Sequence, residues 1–186
     1  TDRAVQLSED GGRSWRKAIL PIAGNLRAIR FSPAFAIDKK VFAVSCAQTL
    51  CTILRSGDGG YTFVALGSVI YGNWLTNPLN FQISPNFTSD HMIFISLQDN
   101  NTGDASPLYR SSDEGLSFIA QASGINMGHY GLSPGFSSDQ TILAGTFINN
   151  YVPSQSYPAQ ISTNGAGAIA FSDYLALPND GTAFNT

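Results

Sequence analysis

Apolar residues in this chain come in short runs, each closed off by clusters of Gly, Ser, Asn, Asp and Pro. Runs of that length between turn residues predict strands, since helices need longer stretches at a 3.6-residue period. The runs fall into groups of four. The first full group is predicted over 26–32, 40–46, 51–56 and 61–67, and the second over 79–84, 91–98, 107–112 and 116–121. The third is predicted over 128–133, 140–147, 157–162 and 168–173. Two further strands, 3–8 and 14–20, precede them. No apolar run reaches the ~18 residues that a membrane-spanning helix needs.

Two motifs are interleaved along this pattern. One reads FSPAFAIDKKVFA (31–43), ISPNFTSDHMIFI (83–95) and LSPGFSSDQTILA (132–144), with prolines at 33, 85 and 134, spaced by 52 and 49. The other reads SEDGGRSW (8–15), SGDGGYTF (56–63) and SSDEGLSF (111–118), with aspartates at 10, 58 and 113, spaced by 48 and 55. STNGAGAI (162–169) is a worn fourth copy in which Asn164 replaces the aspartate. Two motifs recurring in one order at one period, with several short strands per unit, predict four-stranded antiparallel propeller blades.

The expected fold class is therefore all-β: residues 1–186 form a single β-propeller domain or part of one. A half blade covers 1–20, three blades cover 21–70, 71–123 and 124–174, and a tail covers 175–186. Closed propellers have about four to eight blades. This count implies either further blades or partner strands at the open ends.

The second motif resembles the Asp-box, Ser-x-Asp-x-Gly-x-Ser/Thr-Trp/Phe, of the BNR-repeat families. Those families include sialidases, xyloglucan-cleaving glycosidases, sortilin-type receptors and a photosystem assembly factor. The matching residues are Ser8, Asp10, Gly12 and Trp15, then Ser56, Asp58, Gly60 and Phe63, then Ser111, Asp113, Gly115 and Phe118. The resemblance implies a folding role for the box. Its Asp accepts hydrogen bonds from N–H groups of its own turn, Gly supplies a positive φ, and the aromatic ring pins the hairpin to the core.

Composition narrows the setting. Charged residues are 12% of the chain, about half the usual share. Lys17, Lys39 and Lys40 are the only lysines. Such a surface, rich in hydroxyl and amide groups, leans towards secreted and cell-surface proteins. The net charge of −3 argues against nucleic acid, whose binding needs a basic stripe. The chain opens at Thr1 without a Met or a signal-peptide pattern and is expected to be processed or partial. Cys46 and Cys51, in SCAQTLC, would bridge if they flank a hairpin loop; the alternative is two buried thiols. With His91 and His129 the only histidines, no metal site and no cofactor are expected. Asn86 and Asn100 begin sequons and are both expected to be exposed glycosylation candidates.

With strands a to d running outward from the axis, both repeated motifs lie on one face, in the a–b and c–d loops. The other face is built from segments that do not repeat: 68–80, 98–106, 122–131 and 147–158. Non-repeating loops on a rigid scaffold are the usual seat of function. They carry Tyr71, Trp74, Tyr130, Tyr151 and Tyr157, which either stack on sugar rings or pack between blades. Asp99 and Asp104 are the only carboxylates there. They are either the acid pair that a glycosidase needs or two acids in a solvated loop. Glu9 and Glu114 both fall inside boxes, and Arg27 and Arg30 are the only arginine pair near an inner strand.

No catalytic residue is predicted. The leading expectation is a non-catalytic, extracellular propeller scaffold or interaction module. Its expected partners are other protein chains, the rest of a larger propeller, or glycans. Two alternatives stay open: part of a sialidase- or xyloglucanase-like glycoside hydrolase with its catalytic residues elsewhere, and a carbohydrate-binding propeller.

Overall fold

A computed structural model describes residues 4–22, 24–70, 76–99, 106–121, 127–146, 159–162 and 174–175. At 76, 77, 79, 99, 127, 128, 146, 159–162 and 174–175 the description covers the backbone. The strands group into sheets as the sequence pattern predicts. β1 (Ala4–Leu7) and β2 (Arg16–Ile19) form a two-stranded half blade. β3 (Asn25–Phe31), β4 (Val41–Ala47), β5 (Leu50–Ser56) and β6 (Val64–Ile70) form the first four-stranded blade. β7 (Thr76–Ile83), β8 (Ile93–Asp99), β9 (Leu108–Ser111) and β10 (Ile119–Gln121) form the second. β11 (Met127–Leu132), β12 (Ile142–Thr146), β13 (Ala159–Ser162) and β14 (Tyr174–Leu175) form the third. Every pairing is antiparallel between strands adjacent in sequence.

The cores lie between blades. Side chains alternate across a strand, so Val41 and Ala43 of β4 face the half blade, where they meet Val5, Ala18, Leu20, Leu54 and Phe63. Phe42 and Val44 of the same strand face the second blade and meet Phe81, Phe87, Ile93 and Ile95. In turn Phe94 and Leu108 of the second blade meet Tyr130, Phe136 and Ile142 of the third. This is why the second strand of the first blade reads as a near-continuous apolar run, interrupted only by Ser45: Val41 to Cys46 are buried on both faces of the sheet.

Several predicted boundaries move, among them that of the second blade's outer strand, which begins at Ile119 instead of 116. The outer strand of the first blade begins at Val64 instead of 61, because Tyr61 and Thr62 donate their N–H groups to Asp58 and belong to the turn. A short strand of the third blade is described at Tyr174–Leu175, and the expected outer strand 168–173 lies outside the described residues. Each Ser-Pro loop also contains one helical turn that the strand pattern does not reveal: α1 (Phe35–Asp38), α2 (Phe87–Asp90) and α3 (Phe136–Asp139).

Candidate functional site

The three Ser-x-Asp turns share one wiring. In the first blade, Gly60 N–H donates to Ser56 Oγ at 2.8 Å, and Ser56 Oγ donates to Asp58 Oδ1 at 2.7 Å. Asp58 Oδ1 also accepts from Tyr61 and Thr62 N–H at 3.0 and 2.9 Å, and Oδ2 accepts from the Thr62 hydroxyl at 2.6 Å. Asp10 repeats this with Ser8, Arg13 and Ser14, and Asp113 with Ser111 and Ser117. So many donors favour the ionised carboxylate. The Ser14 hydroxyl first, then its N–H and Ser8, lower the pKa of Asp10 to about 2. Asp58 is lowered too, chiefly by the Thr62 hydroxyl. At Asp113 burial works against the charge, and Ser117 and Ser111 outweigh it.

The aromatic residues of these turns differ. Phe63 is buried against the half blade and Phe118 packs beside the core between the first two blades. Trp15 does not pin its hairpin as expected. It is 62% exposed, because among the described residues no preceding blade offers it the surface that Phe63 uses.

The Ser-Pro turns are equally regular. The serine hydroxyl donates to the aspartate six residues on (Ser32 to Asp38, Ser84 to Asp90, Ser133 to Asp139). The aspartate's other oxygen accepts the N–H two residues further on, at 2.9 Å in each copy. Between these two positions sits a left-handed residue: Lys39, His91 or Gln140, with φ of 53°, 55° and 52°. The two motifs touch through the backbone. Gly59 N–H donates to Lys39 O, and Glu114 N–H donates to His91 O.

Glu114 occupies the place that Gly11 and Gly59 hold in the other turns, and it keeps their left-handed backbone at φ 61°. Its carboxylate reaches back to the first blade. Lys40 Nζ and Arg55 Nη1 both lie 2.7 Å from it, and His91 Nδ1 of its own blade lies 3.1 Å away. Burial works against its charge, but Lys40 and Arg55 outweigh this and hold the carboxyl below its usual range. Sequence reading passed over this hub. The available signal was a glutamate, one of only two in the chain, standing in a glycine position. The other, Glu9, also works between blades: it accepts the Tyr61 hydroxyl at 2.6 Å, while Arg16 lies over the Tyr61 ring.

Of the residues expected on the opposite face or as exposed sequons, Tyr71, Trp74, Asn100, Asp104, Tyr151 and Tyr157 lie outside the described residues. Asp99 is the last residue of β8, its Cα paired with Thr76. Tyr130 is not a loop residue open to ligand. It sits on β11, 5% exposed, in the core with Phe94, Leu108 and Phe136, and burial pushes its hydroxyl well above the usual phenol range. The reason is its position: it is two residues upstream of Leu132, on the strand face turned towards the second blade. Asn86 is half-buried instead of exposed, because its backbone opens α2 and is folded onto Ser84. Cys46 and Cys51 are directly opposed on β4 and β5, with Cα atoms 4.1 Å apart, and are disulfide-bonded.

No family model and no curated protein matches the chain. Among solved structures, a GH74 enzyme from Niastella koreensis shares the fold, with a TM-score of 0.56 at 18% identity. The match covers 80% of this chain and 22% of that enzyme. The chain folds as a β-propeller segment. It spans about a fifth of the length of the enzyme it resembles, and at this identity the likeness concerns the fold.

Proposed function

We propose that the chain is a segment of an extracellular Asp-box propeller and that its blades act as a non-catalytic scaffold or interaction module. One observation carries this reading. Asp10, Asp58 and Asp113 hold Ser-x-Asp turns, Asp38, Asp90 and Asp139 hold Ser-Pro turns, and Glu9 and Glu114 bind the next blade or the previous one. A glycosidase keeps two carboxylates free to flank a substrate, and these eight are all committed elsewhere. The wiring of the Ser-x-Asp turns supports the Asp-box reading, and the disulfide suits an oxidising compartment. The partners are the rest of a larger propeller, neighbouring chains, or glycans met by Tyr71, Trp74, Tyr151 and Tyr157.

A second reading makes the chain part of a glycoside hydrolase, with Asp99, Asp104 or acids on further blades doing the chemistry. It takes its support from the GH74 enzyme that shares the fold. The two readings separate in one assay. The purified protein is incubated with β-glucans and sialosides, and released sugar is measured for the wild type and for Asp99→Asn and Asp104→Asn. The scaffold reading expects no turnover in any of the three. Turnover that disappears in either variant would overturn it.

A further inference from the structure

Two side chains of β7 reach the backbone of β11. Asn80 and Gln82 both donate an amide N–H to Tyr130 O, Asn80 at 2.6 Å, and Gln82 Oε1 accepts the Leu132 N–H at 3.3 Å. A carbonyl oxygen carries two lone pairs and can take both donors. These backbone groups are ones that the third blade does not use itself. Ser133 N–H donates to Thr141 O, and antiparallel bonds engage alternate residues, so the Tyr130 C=O and the Leu132 N–H point away from β12. One side-chain amide thus fills an acceptor and a donor, on either side of Gly131, that an added strand would otherwise take.

The junction before it has the same backbone phase without the amide. Ser84 N–H donates to Met92 O, which turns the Ile83 N–H away from β8. Gln82 stands two residues before the serine of its Ser-Pro turn, and Arg30 holds that place in β3. A guanidinium only donates, so Arg30 cannot accept from Ile83. Its Nη1 bonds Ile29 O of its own strand at 2.9 Å. Lys40 and Arg55 tie that junction to Glu114 instead, whereas Met92 stands at the place of Lys40 in the next blade.

We propose that the Gln82 amide is a one-residue stand-in for a strand, which closes the inner edge of β11 and locks the third blade on the second. The lock sets register as well as contact. A slip of β11 by one residue would bring Gly131 O and Ser133 N–H to the amide, and both of these face β12, so both bonds would be lost. The inference goes beyond the scaffold reading and is independent of it, since it concerns how the blades are joined and not what they bind.

The test measures amide exchange in the full chain. Gln82→Met keeps the length of the side chain and removes both bonds. In it the Leu132 amide should exchange about tenfold faster, with Leu143 and Ala144 of β12 following, while Ile93 and Ile95 of β8 keep their wild-type rates. Arg30→Gln supplies the missing amide at the earlier junction, and the Ile83 N–H should then exchange about tenfold more slowly. An unchanged Leu132 rate in Gln82→Met, or a rise shared equally by Ile93 and Ile95, would overturn the proposal. So would an Ile83 rate that Arg30→Gln leaves unchanged, and this second variant decides the matter if Gln82→Met does not fold.

Discussion

The ammonium of Lys40 in the first blade lies 2.7 Å from the carboxylate of Glu114 in the second, and Glu114 carries this contact from a left-handed backbone that the other two turns give to glycine. A non-glycine residue there costs roughly 1 kcal/mol or more. The contacts to Lys40 and Arg55 offset that strain. The side chains of Lys40, Arg55 and Glu114 are 27%, 33% and 18% exposed, so solvent screens the pairs.

Glu114→Gln should therefore cost only about 1 kcal/mol at neutral pH, and the difference should depend on pH with a definite sign. A carboxyl whose folded pKa is depressed stabilises the fold above its unfolded value and loses that contribution as pH falls through the folded value. For Glu114 the loss begins near its ordinary value of 4.5 and continues below it. Asp10 extends the window down to about 2. Tm measured from pH 6 to pH 2 should fall across this range, and the Glu114→Gln curve should converge on the wild-type curve at the acid end. A constant offset at every pH would show that the charge is not what Glu114 contributes.

Within the Ser-x-Asp turns the serine should matter more than the aspartate. Ser56 is fully buried and satisfies the buried Gly60 N–H, whereas Asp58 is exposed and serves N–H groups near water. Ser56→Ala should cost about 1–3 kcal/mol by orphaning a buried donor, and Asp58→Ala should cost less. Chemical denaturation of both variants checks the order.

Gly67 on β6 donates its N–H to Gly115 O of the next blade at 2.8 Å. A Cβ at position 67 would stand 2.4 Å from Leu116 O and 2.6 Å from Gly115 O, both backbone atoms. Gly67→Ala must therefore push two blades apart and should cost about 1–3 kcal/mol. The exposed and unobstructed Gly57 is the control. Its alanine variant should unfold at nearly the wild-type denaturant midpoint.

The disulfide closes a very short loop, so the chain-entropy argument limits its worth to about 2 kcal/mol. Reduction should lower stability without dissolving the fold, because Cys46 and Cys51 are also packed in the core between the first two blades. Alkylation under native, non-reducing conditions followed by intact mass should find no modified thiol, and far-UV circular dichroism should survive reduction.

The repeat period and the two motifs determined the strands, their grouping in fours and the positions of the structural turns, because each blade is wired locally. Ser56 to Asp58 spans two residues and Ser32 to Asp38 spans six, distances that sequence spacing expresses directly. Cys46 and Cys51 were legible for the same reason: they flank a hairpin. What the sequence left open depends on contacts between blades about fifty residues apart. Tyr130 looked like a ligand-facing aromatic because its loop does not repeat, yet the alternation of β11 turns it into the core. Trp15 looked like a core anchor because its motif matches that of Phe63, yet only a neighbouring blade can bury it, and Phe63 has one. Glu114, Lys40 and Arg55 converge only once the second blade packs on the first. Local hydrogen bonding wrote the blades into the sequence, whereas burial and charge pairing between them required the tertiary structure.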